Sequence, residues 1–273
     1  MPLGILSPTS TQKAFGAAVN AARYWQEPDG EDLLAADPAI QTALRPLAHE
    51  LTVVPELSWW SQDALQQQRL IAWDDPDLSH GGQGPSLQEW ARSTRAEELQ
   101  AQWDRPADPQ ANISGTWWST PVILRRSAVG RIPETLDLVE DGFGWEAADV
   151  AAVGLPGRVL EIRCAEDWLL LCRTHPLEVS ASRRNDGYRA TGRVGRWVIP
   201  DWSAVAQEAD GFHLPAVAYL ELAGRGLPLG DGRWTVIAGW DPDATFWLRG
   251  DPVPTEPAEH WVRDPEDDRW HRG

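Results

Sequence analysis

The chain has 273 residues, with 41 acidic against 24 basic side chains and a formal net charge of -17. This balance argues against a general nucleic-acid or anionic-membrane partner, because both require a positive field. The N-terminal stretch MPLGILSPTSTQKAF has no signal-peptide pattern, and no apolar run is long enough to span a bilayer, so we expect a cytoplasmic protein without a membrane partner. Cys164 and Cys172 match neither a disulfide framework nor a zinc spacing, and six scattered histidines form no metal motif, so no metal is expected.

The first part of the chain has a helical character. Residues 11–50 are helix-compatible, and Asp37 followed by proline is typical of a helix start. Residues 63–70 predict another short helix. Residues 86–103 predict the clearest one, because Ser86 and Glu89 form a capping-box pattern. The turn-rich stretch that follows sets our boundary, so residues 1–105 are predicted as a mainly helical N-terminal region.

Beyond this boundary, short β-like runs alternate with turns. The candidate strands are 116–120, 136–141, 157–163, 211–223, 233–240 and 245–248, with a hairpin turn at 230–232. Helices are expected over 165–176 and 200–211, the second one capped by Asp201. The pattern predicts an α+β domain over 106–250. A Pro- and Asp-rich tail, 251–273, follows as an extended arm that Trp261 and Trp270 would hold to the surface.

Two features of composition suggest ligand contacts. The segment 182–196 is rich in arginine in an otherwise acidic chain, and arginine forks bind phosphate oxygens bidentately. A solvated loop that balances nearby acids is the alternative. The chain also has 17 tryptophans; most must be core, and one or two could stack on a nicotinamide or purine ring.

Four motifs in the second half follow one another in a recognisable order: GTWWSTP, RVLEIRCAEDW, PDWSAVAQEADGFHL and AGWDPDATFWL. Over about residues 113–250 this order resembles a divergent group of bacterial and phage proteins in the ADP-ribosyltransferase superfamily, which includes an anti-CRISPR ADP-ribosyltransferase. The resemblance implies a split mixed β-sheet that grips NAD, used as a substrate, and transfers ADP-ribose to a macromolecular or nucleotide acceptor.

The resemblance also implies roles for individual residues. Asp201, Glu161, Ser119 and Thr120 would form the catalytic set. The NAD-binding set would be Trp117, Trp118, Arg183, Arg184, Arg189, Trp240 and Asp241. A carboxylate would stabilise the positive ribose that develops as the nicotinamide bond breaks. Asp201 could instead be a helix cap, and Glu161 an outward strand residue.

Two other classes of function remain open. The chain departs from the family pattern at Pro121 and Ala209 and lacks the family's opening strand, for which Arg23 and Arg45 are the substitutes. A non-catalytic interaction or immunity-type protein with a degenerate cleft is therefore the main alternative. A transferase that modifies nucleic acid, held through Arg183 and Arg184, is not favoured by the charge.

Overall fold

The structure is a computed structural model that describes residues 7–22, 30–73, 86–113, 119–120, 128–140, 145–155, 157–250 and 252–273. Within these ranges helices and mixed sheets make an α+β fold, as the sequence predicts. No helix in the described ranges is both long and apolar enough to cross a bilayer.

Local sequence accounts for the helices of the first fifty residues. They are α1 (Pro8–Asn20), α2 (Gly30–Ala36) and α3 (Pro38–Thr52). Ser7 caps α1 and Asp37 caps α3. Both of these helices begin with a proline, which lacks the N–H that would otherwise be unsatisfied there. The helical character predicted for this part of the chain is confirmed.

The predicted helix over 63–70 is wrong. A 3₁₀ helix, Pro55–Ser61, is followed by a loop and then by strand β1 (Gln67–Trp73). All seven residues of β1 pair with a strand from the middle of the chain, from Gln67 opposite Gly154 to Trp73 opposite Ala148. This pairing is long-range, so it outweighs the local helical preference of the glutamine run.

Helix α4 (Leu87–Asp104) confirms the clearest sequence signal. Ser86 accepts a hydrogen bond from the backbone N–H of Glu89, and the Glu89 carboxylate accepts one from the backbone N–H of Ser86 at 2.7 Å. This reciprocal capping box satisfies two backbone donors at the start of the helix.

The remaining elements alternate strands with short helices. They are β2 (Ala128–Val129), a 3₁₀ helix (Glu134–Asp137), β3 (Ala147–Gly154), β4 (Val159–Glu161), α5 (Ala165–Thr174), β5 (Pro176–Glu178), α6 (Ser180–Thr191), β6 (Arg196–Pro200), α7 (Trp202–Val205), β7 (Gly211–Leu214), α8 (Ala216–Leu222), β8 (Leu227–Gly230), β9 (Arg233–Thr235), β10 (Ala244–Trp247), β11 (Glu259–Asp264) and β12 (Arg269–Arg272).

These elements correct several sequence expectations. Residues 136–140 are not a strand, and the run 211–223 divides at Pro215 into β7 and α8. The arginine-rich segment 182–196 is helical in α6 as far as Thr191 and then runs through residues 192–195 into β6. The C-terminal tail forms the hairpin β11–β12 instead of an extended arm. The expected strand 116–120 lies largely outside the described residues. The hairpin turn at 230–232 joins β8 to β9 as expected.

Among the described residues, the strands form two sheets. The larger has the order β12-β11-β3-β1-β2-β10-β7-β4, and the smaller the order β5-β6-β9-β8. β4 pairs with β7 and β6 pairs with β9 in parallel, while the other named pairs are antiparallel. Strands from all three predicted regions therefore share the larger sheet, with β1 before residue 105 and β11 and β12 after residue 250.

The largest hydrophobic core is built from aromatic rings on one face of β7 and β10. Phe212 stacks on Trp202 at 3.9 Å and on Phe246 at 5.2 Å, and Trp240 meets Phe212 edge to face at 4.9 Å. A second cluster, which includes Leu177, Val179, Trp197 and Ile199, lies on the smaller sheet. Val198 belongs to the large core instead, so β6 presents its two faces to different clusters.

Candidate functional site

A row of polar side chains crosses the larger sheet on the face opposite the large core. Glu161 on β4 is in register with His213 on β7, and His213 with Thr245 on β10. Their chain neighbours Ile162, Phe212 and Phe246 belong to the core. Because successive strand residues point to opposite faces, the polar row points away from that core.

His213 lies between two carboxylates. Its Nδ1 is 2.7 Å from Glu161 Oε2, and its Nε2 is 3.4 Å from Asp243 Oδ1, an ion-pair distance longer than a normal hydrogen bond. The ring is fully buried. Burial lowers the pKa of His213, but the attraction of Asp243 and Glu161 outweighs it and raises that pKa to about 9. The imidazole is therefore positively charged at neutral pH and lies between two acidic side chains.

Backbone groups hold the two carboxylates in place. Glu161 Oε1 accepts a hydrogen bond from the N–H of Ala64 at 3.0 Å, and Asp243 Oδ2 accepts one from the N–H of Gly130 at 2.9 Å. Asp243 has a left-handed backbone conformation with a φ of 57°, which aspartate tolerates better than most residues. The Glu161 side chain is 11% exposed. A carboxylate accepts about four hydrogen bonds, so Glu161 retains acceptor capacity for a ligand.

Two arginines flank this cluster near the loop 62–65. Arg163 forms a bidentate pair with Asp63 at 2.6 and 2.7 Å, next to Ala64. Arg131 follows Gly130 in the chain and donates to Gln62 at 3.0 Å. Both arginines are therefore linked to the loop whose residue Ala64 donates to Glu161.

A second buried polar pair extends the row. Gln68 on β1 donates from Nε2 to Thr245 Oγ1 at 2.7 Å, and both side chains are fully buried. The Oε1 atom of Gln68 has no hydrogen-bond partner among the described residues. Leaving such an acceptor unsatisfied costs about 1–3 kcal/mol, so this part of the sheet is not optimised for stability alone.

Asp201 has the geometry of a structural residue. It is buried at the start of α7, where its Oδ1 accepts from the N–H of Ser203 at 3.1 Å and from its hydroxyl at 2.6 Å. Its Oδ2 forms an ion pair with Arg95 of α4. These contacts use most of the carboxylate's acceptor sites, which leaves Glu161 the better candidate.

Ser119 and Thr120 fasten their segment to the backbone of residues 238–239. Ser119 Oγ donates to Ala238 O at 2.9 Å and accepts from Ala238 N at 3.1 Å, while Thr120 Oγ1 donates to Gly239 O at 3.2 Å. The Trp202 indole also donates to Ser119 O at 2.8 Å. Since Trp202 stacks on the core side of β7, this anchor lies across the sheet from Glu161. Trp117 and Trp118 fall outside the described residues.

Trp240 and Asp241 also contribute to the interior. The Trp240 side chain lies within the aromatic core, where the residue is 1% exposed, and the backbone N–H of Trp240 donates to Glu140 Oε2 at 3.1 Å. Asp241 Oδ1 accepts from the N–H of Glu140 at 3.1 Å, and the Tyr219 hydroxyl donates to Glu140 Oε1 at 2.9 Å. Trp240 therefore presents no open ring face on which a ligand could stack.

The three arginines of the expected NAD-binding set have different surroundings on α6. Arg183 is buried; burial lowers its pKa to about 10, against the opposing charges of Glu97, Asp186 and Glu98. Arg189 donates to Asn112 at 3.1 Å. Arg184 lines a small cavity, described below, and α6 packs on the side of β6 that carries Trp197.

The structure thus separates the sequence-predicted site into three places: Glu161 on the face of the larger sheet opposite the large core, the Ser119 group in the core, and the arginines on α6. His213 and Asp243 were missed by sequence reasoning. The signal that could have found His213 is a single polar residue between Phe212 and Leu214 in an apolar strand.

One group of described residues brings potential metal ligands together. Asp264, Asp267 and His271 place ligand atoms within 4.8 Å of one another on the β11–β12 hairpin. Asp264 Oδ1 and Asp267 Oδ1 each accept a hydrogen bond from a backbone N–H of the turn, at 2.7 and 3.0 Å, as is usual for turn aspartates.

Comparisons with known proteins leave the site to be interpreted from its geometry. Neither a family model, nor a curated protein, nor a solved structure matches this chain.

Proposed function

We propose that the chain is an NAD-dependent ADP-ribosyltransferase-like protein in which Glu161 is the catalytic carboxylate. The observation that carries the proposal is the geometry of the Glu161–His213–Asp243 cluster, which holds a partly exposed carboxylate in a fixed position. Breaking the bond between nicotinamide and ribose develops positive charge on the ribose, and a preorganised negative group stabilises that charge.

His213 and Asp243 act through Glu161. The hydrogen bond from His213 and the N–H of Ala64 fix the orientation of the Glu161 carboxylate. Because the carboxylate is already oriented in the folded protein, the reaction does not have to spend free energy on orienting it.

The residues around Glu161 fit the ribose and pyrophosphate of NAD better than they fit the whole molecule. Glu161 can accept a ribose hydroxyl, and Arg131, whose hydrogen-bond partner Gln62 is neutral, supplies positive charge for the pyrophosphate. The charge of Arg163 is balanced by its pair with Asp63. Because Arg183, Arg184 and Arg189 are on α6, we do not assign them to this substrate.

The test is NAD turnover by the purified chain with candidate protein and nucleotide acceptors. We expect release of nicotinamide and an acceptor adduct with the mass of one ADP-ribose. The Glu161→Gln variant should lose about 100-fold or more in rate, the range typical for removing one group that stabilises the transition state. Glu166→Gln is the matched control, because Glu166 is exposed in the first turn of α5.

The opposite result would favour the non-catalytic alternative. If wild-type protein releases no nicotinamide, forms no adduct and shows no change in melting temperature with NAD, the enzymatic proposal is wrong. Equal rates for the wild type and Glu161→Gln would also remove Glu161 from the mechanism.

A further inference from the structure

A cavity of about 230 Å³ lies between α6, β6 and the segment that follows α4. Its lining includes Ala107, Pro109, Arg184, Arg193, Val194 and Trp197. No carboxylate belongs to the lining among the described residues, although acidic residues outnumber basic ones 41 to 24 in the whole chain. The cavity therefore has positive charge without an internal counter-ion.

The two arginines are free to bind an anion. The Nε atom of Arg184 is buried and has no hydrogen-bond partner among the described residues, and neither Arg184 nor Arg193 forms an ion pair within the same ranges. The guanidinium of Arg193 is 5.2 Å from the ring centre of Trp234, which restricts its motion without using its N–H groups in hydrogen bonds.

Two carboxylates on the elements around the cavity are already bound elsewhere. Glu178 pairs with Arg196 at 2.8 Å and also accepts from the Ser180 hydroxyl. Glu98 of α4 accepts from the backbone N–H groups of Ala181 and Ser182 at 2.8–2.9 Å, so it caps α6. Neither carboxylate is available to neutralise Arg184 or Arg193.

We propose that this cavity binds a phosphate group, either inorganic phosphate or the phosphate of a small ester. Two guanidinium groups can each offer a fork of N–H donors to the phosphate oxygens. Val194, Pro109 and Trp197 supply apolar surface for a small organic substituent. Trp197 belongs to the cluster on the smaller sheet, and Glu161 lies on the face of the larger sheet opposite the large core. The phosphate site is therefore separate from the proposed catalytic carboxylate.

The experiment is calorimetric titration of the full chain with inorganic phosphate, and separately with AMP and with adenosine, at constant ionic strength adjusted with chloride. We expect saturable binding of phosphate and AMP and none of adenosine. Tighter binding of AMP than of phosphate would identify an ester as the source of the group, and equal binding would identify free phosphate.

Variants locate the binding. Arg184→Gln should raise the Kd for phosphate about 10-fold or more, because it removes at least one charge-assisted hydrogen bond. The Arg184→Gln/Arg193→Gln double variant should not bind phosphate. Arg173→Gln is the control, because Arg173 is exposed on α5 outside the cavity and loses the same charge. Thermal melting checks that each variant folds. If Arg184→Gln unfolds the chain, Arg193→Gln alone, at an exposed position, supplies the test.

The proposal is overturned if wild-type protein shows no saturable phosphate binding, or if folded Arg193→Gln and the double variant bind as the wild type does. If Arg173→Gln weakens phosphate binding to the same extent, the weakening comes from the change in net charge alone, and the proposal of a site at this cavity is equally wrong. Nicotinamide release is unaffected by either result, so this test and the test of Glu161 have separate outcomes.

Discussion

The charge state of His213 predicts how the stability of the protein depends on pH. The pKa of His213 is about 9 in the folded protein against 6.5 for an ordinary imidazole. At ~1.4 kcal/mol per pKa unit, the folded state gains about 3 kcal/mol from holding this proton. The gain is complete below about pH 6.5 and is lost as the pH rises through about 9, because the folded state binds the proton more tightly than the unfolded state.

The useful window is from about pH 6 to about pH 8.5, over which we expect the free energy of unfolding to fall by about 2 kcal/mol. Burial raises the pKa of the Cys172 thiol to about 12. That group therefore changes the free energy of unfolding mainly at higher pH, where the thiol ionises in the unfolded chain. Burial also raises the pKa of Asp137, a carboxyl whose titration lies at the acid end. Among the described residues, His213 is therefore the group whose pKa shift governs the pH dependence between about pH 6 and about pH 8.5.

Urea unfolding at several pH values and constant ionic strength measures this slope. His213→Gln should be nearly flat over the window, whereas His271→Gln, at an exposed position, should keep the wild-type slope. NMR titration of the imidazole in the wild type measures the same pKa directly and does not depend on the variant folding. A wild-type stability that stays constant over the window, or an imidazole that titrates near 6.5, would refute the reasoning.

Three further substitutions test the packing and capping of helices α4 and α6. Gly187→Ala should destabilise the fold by about 3 kcal/mol, because a Cβ there would lie 2.3 Å from the buried ring of Trp197; thermal melting would show it, and an unchanged melting temperature would contradict the close contact. Glu98→Ala should cost about 3 kcal/mol in urea unfolding, since it leaves buried N–H groups at the start of α6 without an acceptor; Glu98→Gln, which keeps an acceptor oxygen, should cost less. Ser86→Ala should cost about 1 kcal/mol by removing the cap of α4, and a loss of several kcal/mol would show that Ser86 has another role.

Local signals predicted the elements whose stability is local. The capping box at Ser86 and Glu89 sets the start of α4, and Asp37 followed by proline sets the start of α3. These patterns work because the groups that satisfy the helix end are only a few residues away in sequence.

The failures occur where distant partners decide the conformation. Helix α6 contains Asn185, Asp186 and Gly187, which are poor helix formers, and so the segment suggested a loop. Its first turn is capped by Glu98 from α4, and Gly187 permits close approach of Trp197. Neither contact can be read from the segment itself.

The candidate site shows the same division. Glu161 could be chosen from sequence because it is an acidic residue on a predicted strand. Its relation to His213 and Asp243 depends on the parallel pairing of β4 with β7 and on the turn before β10. Parallel neighbours are separated by other elements along the chain, so no spacing rule connects them.

Strand β1 has a consequence for any attempt to divide the molecule. Among the described pairings it alone joins the β12-β11-β3 half of the larger sheet to the β2-β10-β7-β4 half. A fragment that begins at residue 106 would lack this seven-residue connection and would expose two unpaired strand edges, which are prone to aggregate. Any shortened form of the chain should therefore retain β1 and should not be cut at the boundary near residue 105 that composition suggests.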